Sequence, residues 1–147
     1  DFWVVKLDSA GNKQWDKNYG TAGYDELSSV KLTNDGGYII GGYTASGIGG
    51  DKTQISWGSS DYWMIKIDSN GNKQWDKDFG GTSADMLDNV IQTRDNGYLL
   101  SGISQSPMSG DKTENNLGSE QMWIVKTDSN GNKLWDKTIF TLAVFNQ

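Results

Sequence analysis

The chain contains neither cysteine nor histidine, and these two absences exclude several chemistries. Without cysteine there is no disulfide, no thiolate nucleophile and no cysteine-based zinc or iron-sulfur site. Without histidine the commonest general base and the Ser-His triad are missing, so catalysis would need a Lys, Tyr or carboxylate arrangement. We therefore expect no enzyme activity, and the alternative is a glycoside hydrolase that uses paired carboxylates.

Long apolar runs and an excess of positive charge are also absent. No run of about 18 apolar residues exists to cross a bilayer, and 13 basic against 19 acidic side chains give a net charge of −6. An acidic chain repels phosphate backbones and anionic membrane surfaces, so we expect no nucleic-acid partner and no membrane insertion. Because the sequence starts with neither Met nor a basic-then-apolar leader, we expect a processed or partial chain.

A repeat of 60 residues organises what the chain does contain. The decapeptides "DSAGNKQWDK", "DSNGNKQWDK" and "DSNGNKLWDK" begin at residues 8, 68 and 128, a constant spacing of 60. Six of the seven Trp recur at equivalent positions, where packing between units is a better interpretation than a sugar-stacking platform. The residues predicted to be structural are Trp3, Trp15, Trp63, Trp75, Trp123, Trp135, Gly71 and Gly131.

Each full unit predicts four short antiparallel strands. "LDNVIQT" and "YLLSGIS" flank "RDNG", while "DYWMIKID" and "KQWDKDF" flank "SNGN", and the Asn-Gly pairs supply the positive φ that tight hairpins need. In "WMIKID" one face carries Trp63, Ile65 and Ile67 and the other Met64 and Lys66, so we expect such a sheet to be covered on both faces.

Four-stranded antiparallel units that recur every 40 to 60 residues or so are the signature of β-propeller blades. A β-trefoil also has four strands per repeat, but it needs three full repeats of a shorter unit. The predicted fold class is therefore all-β, a β-propeller segment of about two and a half four-stranded antiparallel blades.

The strand order predicts the organisation of this single propeller segment, residues 1–147. With the strands of a blade named A to D from the axis outward, residues 1–20 are a C-D half-blade, and 21–80 and 81–137 are blades. Residues 138–147 abandon the repeat and are expected to form a divergent terminal strand. Since a ring usually takes about four to eight blades, we expect further blades or other copies of the same protein to close it.

These motifs resemble the tandem propeller repeats of large secreted and cell-surface bacterial proteins associated with type IX secretion. The resemblance rests on the pattern D-x-W-x-x-K-x-D-S-x-G-N-K-x-W-D-K followed by T-x-D-G-G-Y-x-x-x-G, which covers most of the chain. It implies the propeller fold and an extracellular or bacterial cell-surface location, mostly without an assigned activity. The C-D hairpin also looks like the Asp-box of sialidase propellers, which is itself structural.

The decapeptide has a possible second role as a calcium loop, because oxygen ligands at its first, third, fifth and ninth positions can surround a hard cation. Such sites would use Asp68, Asn70, Asn72 and Asp76, and Asp128, Asn130, Asn132 and Asp136. Against this, Lys73 stands where calcium loops have Gly, and Ala10 replaces Asn70 in the first copy. The alternative is a hairpin whose Asp68 accepts backbone N–H bonds and whose Trp75 packs on the next blade. Apart from calcium, no cofactor is expected.

The long connections between strands B and C, here called the B-C loops, are the candidate recognition surface. They cover residues 44–60 and 104–120, and both repeat GDKT followed by Gly-Ser. Loops of this length are usually functional or disordered. A ligand site on this face would use Asp51, Lys52, Thr53, Trp57, Asp111, Lys112 and Thr113. The alternative is a packed loop that caps the neighbouring blade.

The sequence thus predicts a non-catalytic extracellular scaffold or recognition module, which binds a surface glycan or a partner protein through the B-C loops. Two alternatives remain open, a calcium-stabilised structural or adhesion propeller and part of a glycan-acting hydrolase.

Overall fold

A computed structural model describes residues 1–140, which form ten strands and no helix. In this described part there is accordingly no helix that could span a membrane. The strands are β1 (Phe2–Leu7), β2 (Lys13–Tyr19), β3 (Asp25–Leu32), β4 (Tyr38–Thr44), β5 (Asp61–Ile67), β6 (Lys73–Phe79), β7 (Asp85–Gln92), β8 (Tyr98–Ser104), β9 (Gln121–Thr127) and β10 (Lys133–Ile139).

The strands assemble into three antiparallel sheets. Sheet 1 contains β1 and β2, sheet 2 has the order β3-β4-β5-β6, and sheet 3 has the order β7-β8-β9-β10. The register repeats between sheets, since Tyr38 pairs with Ile67 and Tyr98 pairs with Thr127. The predicted all-β class is confirmed. Over residues 1–140 the three sheets do not close into a ring.

The hairpin turns carry the backbone geometry that the Asn-Gly and Gly-Gly pairs predict. Gly71 has φ +81° in the β5–β6 turn, and Gly36 has the same value in the β3–β4 turn. In the equivalent β7–β8 turn the residue with positive φ is Asn96, at 63°. Asn tolerates the left-handed region better than other residues with a side chain, so both turns close in the same way.

Sheet 2 is covered on both faces, which leaves every residue of β5 buried. On one face Phe2 of sheet 1 packs on Trp63, with ring centroids 4.9 Å apart. On the other face Tyr62 packs on Trp123 of sheet 3, with centroids 5.0 Å apart. The apolar core therefore lies between the sheets, and each inter-sheet contact uses the same two repeat positions.

The first residues of the divergent segment, 138–139, are the end of the fourth strand of sheet 3. β10 runs to Ile139 and pairs with β9 through Thr138 and Ile139, which oppose Trp123 and Met122. The remainder of the predicted terminal strand, 141–147, lies outside the described residues.

Candidate functional site

The B-C loop of sheet 2 is organised from inside by Lys52. Its ammonium group donates to the carbonyl oxygens of Ser46 (2.9 Å) and Gln54 (3.1 Å) and to Ser56 Oγ (2.9 Å). It also lies 2.7 Å from Asp78 Oδ2, and both side chains are enclosed by protein. The predicted ligand-binding lysine is thus occupied by its own loop and by β6.

Lys112 has the same place in the B-C loop of sheet 3. Its ammonium group donates to the Glu114 carbonyl oxygen (2.7 Å), to Asn116 Oδ1 (3.0 Å) and to Thr138 Oγ1 (2.6 Å). Burial lowers the pKa of Lys112, and the nearby Asp85 acts in the opposite direction. A buried ammonium group with three acceptors holds a loop together, because an unpaired buried charge is very costly.

The aspartates of the GDKT motifs join each loop to the neighbouring sheet. Asp51 Oδ2 accepts from the N–H of Gly20, at the end of β2, and the N–H of Asp51 donates to the Gly20 carbonyl oxygen. Asp111 makes the same two bonds with Gly80, at the end of β6. These are the bonds of a packed loop, so each loop connects its own sheet to the preceding one.

Thr53 and Thr113 fasten the other side of each loop to the fourth strand of its own sheet. The N–H and hydroxyl of Thr53 donate to Asp76 at 3.0 and 2.6 Å, and those of Thr113 donate to Asp136 at 2.9 Å each. Trp57 lies at the surface with 45% of its area exposed, and Thr53 and Thr113 are also exposed. The seven predicted residues are therefore spread between loop interior, inter-sheet contact and surface.

The Asp that begins each decapeptide stabilises its own turn. Asp68 Oδ1 accepts from the N–H groups of Asn70 (2.8 Å) and Asn72 (2.9 Å), and Asp68 Oδ2 accepts from Asn72 Nδ2 (3.0 Å). Asp8 and Asp128 repeat this pattern. The hydrogen bonds from Asn72 hold the pKa of Asp68 below its usual value, since they favour the charged form.

The ninth residue of the decapeptide has different partners. Asp76 Oδ2 accepts from Trp63 Nε1 at 3.0 Å, and Asp76 Oδ1 lies 2.9 Å from Lys73 Nζ, in addition to the bonds from Thr53. Burial acts to raise the pKa of Asp76, but these donors outweigh it and the pKa is lowered. Asp136 is held in the same way by Trp123, Lys133 and Thr113.

Asp68 and Asp76 thus use their carboxylates on separate sets of protein donors. Within residues 1–140, no group of three or more acidic side chains is placed to hold a metal ion. Calcium binding by the decapeptide stays a prediction, with Asp68 and Asn72 already committed to each other.

The repeated Trp and Gly of the decapeptide meet across the sheets. Trp75 lies against Gly131 of the next turn, where a Cβ would approach ring atom Cζ3 to 2.8 Å. Trp15 lies against Gly71 in the same way. Both glycines also have positive φ, which the turn requires. Their lack of a side chain leaves room for the Trp ring of the neighbouring sheet.

Among the buried carboxylates that the sequence did not reveal, three have a raised pKa. Asp61, Asp78 and Asp85 are each less than a tenth exposed, and burial raises the pKa of all three. The pKa of Asp78 rises to about 8, because burial and then the charge of Asp61 oppose its ionisation. For Asp78 the available signal was a departure from the repeat, since Asn18 and Thr138 stand at the equivalent positions.

A polar cleft of about 400 Å³ lies between sheets 2 and 3, at the ends of the strands opposite the B-C loops. We call this end of the molecule the turn side, because the β3–β4, β5–β6, β7–β8 and β9–β10 turns lie there. The cleft is lined by Asn34, Asp35, Lys66, Gln74, Trp75, Gln92, Asn96, Tyr98 and Ser129. The sequence does not reveal this cleft, because its residues come from two sheets.

Comparison with protein-family models gives no match, and neither does comparison with curated proteins.

Proposed function

We propose that the chain is a non-catalytic extracellular scaffold, a β-propeller segment whose ring is completed by further blades, either in other copies of this chain or in additional repeats of the same protein. In this proposal sheet 1 is the half-blade and sheets 2 and 3 are the full blades. The observation that carries it is a pair of apolar faces, one on sheet 1 and one on sheet 3, that residues 1–140 leave uncovered.

The first uncovered face belongs to β1. Trp3, Val5 and Leu7 are 63%, 39% and 54% exposed. Their equivalents in sheet 2 are Trp63, Ile65 and Ile67, which sheet 1 covers completely. The face of β1 is thus the kind of surface that another sheet covers elsewhere in the same chain.

The second uncovered face belongs to β9. Met122 is 51% exposed, whereas its equivalents Phe2 and Tyr62 are buried against Trp63 and Trp123. Met122 therefore occupies the position that covers a Trp in both of the inter-sheet contacts within the chain. The surface that would complete this contact is a face such as that of β1, which presents Trp3.

The two faces are complementary, so the contact they favour is head-to-tail. Such heterologous contacts close into a ring when the rotation between units allows it. Burying one Trp removes about 150–250 Å² from water, which is worth a few kcal/mol at about 25 cal/mol per Å². Two such exposed faces are a strong driving force for association.

Three further features support the non-catalytic and extracellular parts of the proposal. The chain has neither His nor Cys. The buried carboxylates Asp61, Asp78 and Asp85 are enclosed by protein rather than displayed to a substrate. The repeat pattern resembles that of secreted and cell-surface bacterial proteins.

The test is size-exclusion chromatography with light scattering, together with native mass spectrometry. The unmodified chain should form concentration-dependent oligomers, and Trp3→Lys and Met122→Lys should each reduce this association. Mixing the two variants should restore a one-to-one dimer, because each keeps the face that the other lacks. Ile55→Lys, an exposed apolar position on a B-C loop, is the control and should leave association unchanged. A chain that stays monomeric at every concentration, with both variants indistinguishable from it, contradicts the proposal.

A further inference from the structure

The cleft on the turn side differs from the rest of the inter-sheet contact because its polar groups are not all used. Gln74 Oε1 accepts from Lys66 Nζ at 3.1 Å, which leaves the two hydrogens of Gln74 Nε2. Asn96 Oδ1 accepts from Asn34 Nδ2 at 2.9 Å, which leaves those of Asn96 Nδ2. Both amides are thus oriented by the protein and still have donors to offer.

Trp75 adds a donor and apolar surface to the same cleft, and the buried Tyr98 supports its ring. Trp75 and Tyr98 meet edge to face, with ring centroids 5.7 Å apart. Neither Trp75 Nε1 nor the Tyr98 hydroxyl has a hydrogen-bond partner in the part of the chain that the structure describes. Burial, and then the charge of Asp35, raise the pKa of Tyr98 to about 12, so its hydroxyl keeps its proton at neutral pH.

The equivalent place between sheets 1 and 2 shows that the fold does not require these free donors. There Trp15 Nε1 donates to the Ser69 carbonyl oxygen at 3.1 Å, and Lys6 Nζ donates to the same oxygen at 3.2 Å. Leu32 and Gly36 stand where the second contact has Gln92 and Asn96. The first contact therefore bonds its own indole and has a smaller, mainly apolar cavity of about 220 Å³ beside Trp15 and Tyr38, while the second presents amides.

The charge of the cleft limits the kind of ligand. Lys66, the cationic lining residue within residues 1–140, lies 2.9 Å from Asp35 Oδ2, and the pKa of Asp35 is lowered to about 2. The two charges cancel over the pH range of most solutions. With a net charge of −6 on the chain, long-range attraction of an anion is also absent.

We infer that this cleft binds a neutral, hydroxyl-rich ligand, namely a short oligosaccharide. Sugar hydroxyls accept from the free N–H groups of Gln74, Asn96 and Trp75, and the C–H face of a sugar ring suits the accessible apolar surface of Trp75, whose ring the buried Tyr98 supports. The volume is at the lower end of small-molecule sites, which are on the order of 300–1,000 Å³. The site lies within one chain, between two sheets that are already in contact, so it does not depend on ring closure.

The experiment is an NMR titration of the uniformly ¹⁵N-labelled chain with maltohexaose, cellohexaose and chitohexaose in turn, and with sialyllactose as an anionic comparison. At least one neutral oligosaccharide should saturably shift the Trp75 indole N–H and the side-chain amides of Gln74 and Asn96. The Trp15 indole, which is bonded to Ser69, should not move. A Gln74→Ala/Asn96→Gly double variant, with the residue that the equivalent turn has at Gly36, should weaken binding by about tenfold or more, since two hydrogen bonds of about 1 kcal/mol are lost.

Gln14→Ala is the matched control, because Gln14 is the equivalent of Gln74 in sheet 1 and should leave the affinity unchanged. Both altered positions in the double variant are exposed, and its thermal unfolding shows whether the fold is retained. The inference is overturned if no neutral oligosaccharide gives a saturable shift, if the folded double variant binds as well as the unmodified chain, or if sialyllactose binds equally. Shifts confined to Trp57 overturn it too, because they place the ligand on the B-C loops.

Discussion

Tyr62 in sheet 2 packs on Trp123 in sheet 3, and its hydroxyl also donates to the Trp123 carbonyl oxygen at 3.0 Å. The same position in sheet 1 is Phe2, which packs on Trp63 without that hydrogen bond. One repeat position therefore joins the sheets twice, once by ring packing alone and once by packing together with a buried hydrogen bond.

Truncating Tyr62 should separate these two contributions. Tyr62→Phe removes the hydrogen bond and leaves the Trp123 carbonyl oxygen with one acceptor bond fewer, so we expect a loss of about 1 kcal/mol in the free energy of unfolding. Tyr62→Ala also leaves a cavity and should cost about 3–5 kcal/mol. Urea unfolding measures both, with the exposed Tyr24→Ala as control. A Tyr62→Ala loss no larger than that of Tyr24→Ala contradicts the assigned packing role.

Gly131 and Gly11 make a matched pair for testing the Trp-Gly contact. Both have positive φ, at 79° and 84°, but a Cβ at Gly131 meets the Trp75 ring and a Cβ at Gly11 meets nothing within 4 Å. Ala at either position carries the backbone cost of about 1 kcal/mol. Only Gly131→Ala should add about 1–3 kcal/mol for overpacking. Equal melting temperatures for the two variants would show that the Trp75–Gly131 contact contributes little.

Asp78 should make stability depend on pH in the unusual direction. Its pKa is raised from 3.8 to about 8 by burial and by Asp61, so between these values the unfolded chain loses a proton that the folded chain keeps. The free energy of unfolding should therefore fall as pH rises through this window, by up to about 1.4 kcal/mol per pH unit from this group. Asp78→Asn resembles the neutral form and should remove that slope, as measured by urea unfolding at a series of pH values.

Asp35 provides the opposite case on the same protein. Hydrogen bonds from Thr33 and Lys66 lower its pKa to about 2, so its contribution is present above about pH 4 and is lost as pH falls through about 2. Asp35→Asn should lower stability at neutral pH, and the difference from the unmodified chain should shrink in acid. If Asp35→Asn and Asp78→Asn change the pH dependence of the free energy of unfolding in the same way, the raised pKa assigned to Asp78 is wrong.

Removing divalent ions should leave the melting temperature unchanged. The donors that Asp68 and Asp76 already use, Asn72 and Thr53 among them, satisfy the carboxylates without a cation. Differential scanning calorimetry in excess EDTA, compared with excess calcium, measures this directly. A drop of several degrees on chelation supports the calcium-stabilised alternative instead. Asp68→Asn weakens the turn whether or not calcium binds, so a loss of stability alone does not identify a calcium site. If the variant also abolishes a response to calcium, the decapeptide is the site of that response.

The strands and turns were predictable because they depend on local patterns. Alternating apolar residues around Trp63, and Asn-Gly or Gly-Gly pairs such as Asn70-Gly71, specify strands and hairpins over a few residues. The all-β class followed from these patterns and is confirmed.

The environments of the loop and cleft residues were not predictable, since they depend on groups that are distant in sequence. A lysine in a Gly-rich loop is usually exposed, but Lys52 is enclosed because loop carbonyl oxygens and Asp78 of β6 converge on it. The raised pKa of Asp78 likewise requires Asp61 beside it. Gln74 and Asn96 share a cleft only because sheets 2 and 3 meet.

β5 is completely buried, whereas β1 and β9 are partly exposed. Equivalent residues of the repeat therefore differ in how well they tolerate substitution. A polar residue at Trp3 meets solvent, whereas the same exchange at Trp63 disrupts the interior. Amide hydrogen exchange should rank the copies in the same order, slowest along the middle strand and faster towards either side. Once a neighbour occupies the outer surfaces, this ranking should level out, so exchange rates at β1 and β9 give a residue-by-residue measure of assembly.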